Sequence, residues 1–182
     1  MIAERDASRS SSYRIRSRCR RVISWIIAVA ILGVALAMTI VVPPRPLLVW
    51  NASASVPIGL YWVGGAGSIE TGDTVIAWTP APARALAARR RYHPANVPLV
   101  KPVAAGAGDR ICAHGSEIFV NGRPVAGRLT SDGAGRALPW WHGCVTLGRG
   151  ALFLMAGHPG SFDGRYFGPT AAANIVGEAH PL

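Results

Sequence analysis

The sequence predicts a mainly β, β-rich α+β domain of antiparallel strands, preceded by a single N-terminal transmembrane helix. Three observations carry this expectation. Val22–Val42 is an uncharged apolar run of twenty-one residues, enough for about 30 Å of helix. From Pro43 onward, short runs of strand-forming residues alternate with Gly and Pro, the pattern of many short strands joined by turns. Beyond the apolar run, only Pro82–Arg91, rich in Ala and Arg, favours a helix.

The elements follow in chain order. Residues 1–21 hold seven arginines against Glu4 and Asp6, so half of the formal charge of +10 precedes the apolar run. A basic block that abuts such a run reads as membrane topology, and no nucleic-acid partner is expected. The expected division is a basic cytoplasmic tail at 1–21, an anchor at 22–42 that meets lipid, and an exported β-rich domain at 43–182. A cleaved signal peptide is the rival reading, with Ala35-Leu36-Ala37 as its cut site. Cleavable cores are normally about 7–15 apolar residues, and this run continues past Ala37.

Strand candidates in the exported part are Leu47–Trp50, Leu60–Val63, Thr74–Trp78, Leu99–Val103, Arg110–Ala113, Glu117–Val120, Arg123–Val125, Cys144–Leu147 and Ala151–Ala156. Asn121-Gly122 between two of them is the strongest hairpin signal, because a type I′ turn needs positive φ at both central residues. Arg128–Gly143 has little periodicity and reads as loop. Cys112 and Cys144 lie on the exported side, where one disulfide between them is expected. Their spacing matches no zinc signature, and no metal or cofactor is expected.

The chemistry starts from one residue. Lys101 is the single lysine among nineteen basic residues. Arginine stays protonated in proteins, whereas a buried lysine can lose its proton. A lone lysine within Val-Pro-Leu-Val-Lys-Pro-Val therefore suits a general base or a Schiff-base amine, against the plainer reading of a surface lysine. Two further patches stand out: Asn51-Ala52-Ser53-Ala54-Ser55-Val56-Pro57-Ile58-Gly59-Leu60-Tyr61 and Gly160-Ser161-Phe162-Asp163-Gly164-Arg165-Tyr166-Phe167-Gly168. In the first, Pro57 and Gly59 set a turn that can present Ser55. In the second, Asp163 and Arg165 can pair, and Ser161 and Asp163 share a face if extended.

Together the patches resemble the type I signal peptidase family, in its conjugative-transfer (TraF-like) branch. The branch hallmark resembles Asn-x-x-x-Ser-x-Pro-x-Gly-Leu-Tyr, which Asn51–Tyr61 reproduces. The family's lysine motif is similar to Lys101-Pro102-Val103 followed by Gly108-Asp109, and its last motif to Ser161–Gly168. The chain departs in having Pro102 where the family has arginine, Gly164 where it has serine, and Ser-x-Pro for Ser-x-x-Pro. The last departure leaves Ser53 and Ser55 as alternative nucleophiles.

The resemblance implies a signal-peptidase-like fold and a serine endopeptidase with a Ser/Lys dyad. Ser55 attacks the scissile carbonyl, and Lys101 takes its proton and returns one to the leaving amine. This demands a neutral amine near pH 7, a drop of roughly three units from about 10.4. Ser53 Oγ and the Ser55 N–H would form the oxyanion hole, Ser161 would orient Lys101, and Asp163 with Arg165 would brace the site. The implied partners are exported precursors with signal sequences, a conjugative pilin above all, at the periplasmic face of a bacterial inner membrane. Head-to-tail pilin cyclisation, which some branch members perform, stays open beside hydrolysis. A His158/Ser161/Asp163 triad is a rival constellation, and a catalytically inert, membrane-anchored envelope assembly subunit is a rival class. Self-cleaving repressors, which also use Ser/Lys, need a DNA-binding module where this chain has its anchor. The other histidines, His93, His114, His142 and His180, are expected to be solvated.

Overall fold

The structure is a computed structural model that describes residues 3–41, 46–67 and 69–182. It divides into two units, residues 1–45 and 46–182. The first contains helix α1, Ala3–Val41, within which Arg20–Ile40 has a mean hydropathy of 2.5. That stretch is long and apolar enough to cross a membrane. Helix runs back through the arginine-rich tail, for which the sequence carries no helical expectation. Val42, the last residue of the expected anchor, and residues 43–45 of the expected exported domain lie outside the described residues.

The second unit is built from two antiparallel sheets. The larger contains β1 (Leu48–Asn51), β2 (Gly59–Val63), β3 (Thr74–Ala77), β4 (Leu99–Ala105), β9 (Phe153–Leu154) and β10 (Ile175–Pro181), in the order β1-β2-β10-β3-β4-β9. The smaller contains β5 (Arg110–His114), β6 (Glu117–Val120), β7 (Arg123–Gly127) and β8 (Gly143–Thr146), in the order β7-β6-β5-β8. Helix α2 (Ala81–Arg89) packs Ala83 and Ala87 inward and begins with Pro82 in its first turn, where a missing N–H costs nothing. A four-residue helix, α3 (Gly164–Phe167), and a 3-10 turn, Ala172–Asn174, complete the elements.

The hairpin forms where Asn-Gly places it: Val120 pairs with Arg123, and Asn121 and Gly122 take φ of 50° and 78°. Strand β10 has no sequence signal, because Gly177 and Pro181 interrupt its pattern. It nevertheless fills the gap between β2 and β3. At its bulge a Cβ on residue 177 would stand 2.1 Å from Gly64 O, so only glycine allows the two backbones to close. The cores follow from these pairings. Ile76 and Val100 pack with Val49 and Tyr61, while Ile111, Ile118 and Ala105 gather on Phe153. This second cluster joins the small sheet to β4 and β9.

Cys112 and Cys144 are paired residues on β5 and β8 and are joined in a disulfide. The bond closes a loop with a sequence separation of 32, worth roughly 3–4 kcal/mol in the chain-entropy treatment. Reduction should lower the denaturant midpoint correspondingly, and equal thiol alkylation with and without reductant after unfolding would show that the bond does not form.

Candidate active site

Lys101 lies on β4, and its neighbours on the same strand, Leu99, Val100 and Val103, are buried. A two-sided burial pattern puts the lysine into the domain whichever face it takes. It is 4 % exposed. Its Nζ is hydrogen-bonded to Ser55 Oγ and donates to Ser161 Oγ at 2.5 Å. Burial pushes the Lys101 pKa down to about 8, with Asp163 opposing and Arg165 adding to the drop. The fall from 10.5 is most of the roughly three units that a neutral base requires. At pH 7 about one amine in ten is neutral, and at pH 8 about half.

Ser55 sits in the turn between β1 and β2, and Asn51, at the end of β1, holds that turn in shape. Its Nδ2 donates to Ser53 O, Val56 O and Pro57 O at 2.9, 3.1 and 3.0 Å. Its Oδ1 accepts from Ser53 N at 3.2 Å and Ser53 Oγ at 2.9 Å. Tyr61 OH donates to Pro57 O at 2.8 Å from the opposite strand. Asn51 and Tyr61 are the first and last residues of the hallmark motif, yet the sequence reading gave neither a role. Asx side chains that bind backbone two residues on are a known turn device, and that was the signal available. Asn51→Asp would set a carboxylate against three carbonyl oxygens in a buried position. We expect a loss of roughly 2–4 kcal/mol of stability, read by urea unfolding, with Asn51→Ala less damaging.

Ser53 is exposed, and its Oγ lies 3.2 Å from Ser55 Oγ. Ser161 is buried and stands 3.4 Å from Ser55 Oγ, so Ser55, Lys101 and Ser161 form one cluster. Asp163 caps α3. Its Oδ1 accepts from Arg165 Nε at 2.9 Å, and its Oδ2 accepts from Arg165 Nη2 and Ala156 N at 2.8 and 3.0 Å. Arg165 Nη2 also donates to Ala156 O and His158 O at 2.9 and 2.8 Å. The pair thus braces the 156–163 segment that carries Ser161. With its acceptor positions taken this way, Asp163 makes no bond to His158, whose Nδ1 accepts from Gly160 N. The His158/Ser161/Asp163 triad does not form. Asp163 keeps extended backbone as the N-cap of α3, and Arg165 lies inside that helix. Gly164 also has a local reason: a Cβ there would lie 2.8 Å from both Leu154 O and the Phe153 ring.

Ser53, Ser55, Lys101 and Ser161 open into a cleft of about 1000 Å³. One wall comes from residues 129–138, inside the segment read as loop. Asp132 latches it, accepting from Arg136 Nε at 2.7 Å and from Tyr92 OH. His93 lines the same cleft, half-buried, with Nε2 2.7 Å from Val97 O, and burial lowers its pKa. His180 is half-buried against Trp62 at 5.1 Å. Neither is the solvated histidine expected: His93 is tied to its own loop at Val97 O, and His180 stacks on Trp62 of the neighbouring strand β2.

Comparison with known proteins adds the wider context. The family described as signal peptidase, peptidase S26, matches residues 19–182. A plasmid transfer protein TraF of Escherichia coli is 32 % identical over 143 residues, covering 72 % of this chain and 80 % of that protein. A probable conjugal transfer protein TraF of Sinorhizobium fredii and a conjugal transfer protein TraF of Agrobacterium fabrum are each 32 % identical over 142 residues. Each alignment covers 72 % of this chain, with 74 % and 80 % of the respective relatives. A signal peptidase I from Enterococcus faecalis superposes with a TM-score of 0.36 at 16 % identity, over 62 % of this chain and 97 % of that one.

Proposed function

The chain belongs to the signal peptidase family, peptidase S26, in its TraF-like conjugative-transfer branch, and from that premise we propose that it is a serine endopeptidase with a Ser55/Lys101 dyad. One observation carries the reading: a buried lysine amine, with its pKa lowered, touches two serine hydroxyls on a cleft. In the reactive state the neutral Nζ donates one N–H to Ser161 Oγ, which aims its lone pair at Ser55. Ser55 Oγ then attacks the scissile carbonyl as its proton passes to Nζ, and Lys101-H⁺ protonates the departing amine. Ser53 Oγ and Ser55 N–H stabilise the oxyanion. In the resting state the Ser53 hydroxyl is engaged by Asn51, and the oxyanion competes for that proton.

The substrate is the signal sequence of an exported precursor, a conjugative pilin, cut at the periplasmic face of the inner membrane. The N-terminal apolar helix serves as the lipid anchor, and exposed Trp50, Ile58 and Trp62 support a domain working near lipid. The acyl-enzyme passes to water, or to an amine of the same pilin if the product is circular. A circular product weighs one water less than the linear fragment, so intact-mass measurement separates the two.

A serine-directed acylating probe tests the assignment against an inert assembly subunit. Labelling should map to Ser55 and vanish in Ser55→Ala. Ser53→Ala should slow acylation by about 10²–10³-fold, the range for one oxyanion donor. Labelling at Ser53 with Ser55→Ala still active would reverse the roles, and no labelling at either serine would favour the inert reading.

A further inference from the structure

The outer face of the small sheet carries a second cluster that the peptidase reading does not use. Cys112 and His114 are alternate residues of β5 and so point to the same side, and Cys144 is the direct partner of Cys112 on β8. Their three ligand atoms lie within 4.8 Å of one another. His114 Nε2 is 3.7 Å from Cys144 Sγ. His114 and Cys144 are exposed and Cys112 is half-buried, so the cluster faces solvent.

Tetrahedral zinc with Zn–S near 2.3 Å and Zn–N near 2.0–2.1 Å requires an S···N separation of roughly 3.6 Å and an S···S separation of roughly 3.8 Å. The imidazole already stands at the first distance. Once the sulfur–sulfur bond is cut, side-chain rotation on directly paired strands can provide the second. We propose that Cys112, Cys144 and His114 form a redox-gated site for a divalent, thiolate-preferring cation such as Zn²⁺, with water in the fourth position. In the oxidised chain both sulfurs are consumed by the disulfide and the site does not exist. A dithiol reductant creates it: the S–S bond breaks, two electrons and two protons pass to Cys112 and Cys144, and the dithiol closes to its own disulfide. The cation then displaces both thiol protons and takes the Nε2 lone pair of neutral His114.

The site has a structural consequence. The opposite face of β5 and β6 carries Ile111, Ala113 and Ile118 into the cluster around Phe153 and Ala105. A cation would keep β5 and β8 cross-linked before the disulfide forms, and oxidation would release it. The inference stands independently of the Ser55/Lys101 assignment.

The test uses full-length protein in detergent with Cys19→Ser, so that only two thiols respond. After reduction with a phosphine, Co²⁺ should produce thiolate-to-metal absorption that Zn²⁺ abolishes. Zn²⁺ should raise the Tm of the reduced protein and leave that of the oxidised protein unchanged. His114→Ala should weaken Zn²⁺ binding at least about tenfold. If reduction unfolds the domain, Zn²⁺ should restore its circular dichroism. The proposal is overturned if reduced protein binds Co²⁺ no differently from the Cys112→Ser/Cys144→Ser double variant. It also falls if oxidised protein gives the same spectrum, if His114→Ala binds Zn²⁺ as tightly, or if Zn²⁺ fails to restore a reduced, unfolded domain.

Discussion

Lys101→Arg is expected to reduce acylation of Ser55 by about 10²–10⁴-fold, the contribution of a positioned general base. The substitution keeps the charge and roughly the length, and removes only the capacity to become neutral. Wild-type activity should rise about tenfold per pH unit below pH 8 and level above it, since in the proposed dyad the base is the neutral amine and burial holds its pKa at about 8. A profile that follows a group near pH 6.5 would point to a histidine. Lys101→Met separates catalysis from folding. The depressed pKa means that the unfolded chain binds more protons between pH 8 and 10.5, so wild-type stability rises with pH through that window. Lys101→Met lacks this slope and should fold at least as well at pH 7 while remaining inactive. A folded Lys101→Arg protein acylated at near wild-type rate would end the dyad reading.

Asp163→Ala should cost about 3–5 kcal/mol of stability, the range for leaving one partner of a buried ion pair alone. Asp163 is fully buried and Arg165 nearly so. Removing the carboxylate strands the guanidinium and orphans Ala156 N. Because the pair also ties down the segment bearing Ser161, acylation per folded molecule should fall together with stability. Equilibrium unfolding in urea gives the first quantity and active-site titration the second. A loss under about 1 kcal/mol would mean that the brace is not what holds Ser161.

Much of the fold was legible because its signals are local. Each of the nine strand candidates overlaps an observed strand, the one at Ala151–Ala156 only over Phe153–Leu154, and the Asn121-Gly122 turn sits where its φ requirement puts it. Elements set by nonlocal contacts carry no such signal. Strand β10 exists because β2 and β3 leave a gap between them, and Gly177 permits the contact with Gly64. The 164–167 helix is set by the Asp163 cap, which depends on Arg165 and Ala156 rather than on any helical periodicity. The wall at 129–138 has no pattern of its own; Tyr92 and Asp132 make it one side of the cleft.

The chemistry available is legible in the residues alone: one lysine able to lose its proton, two serines beside a constrained turn, an Asp-Arg pair and two cysteines beyond the apolar run. Residue identity dictates donor, acceptor and pKa range, and those are readable without coordinates. Which of these groups meet is a matter of the folded chain. Ser55, Lys101 and Ser161 are separated by 46 and 60 residues, and their contact depends on the turn after β1, on β4 and on the braced segment before α3. The folded chain also decides that Lys101 is buried enough to lower its pKa, because desolvation is a property of everything packed around a group and not of its neighbours in sequence.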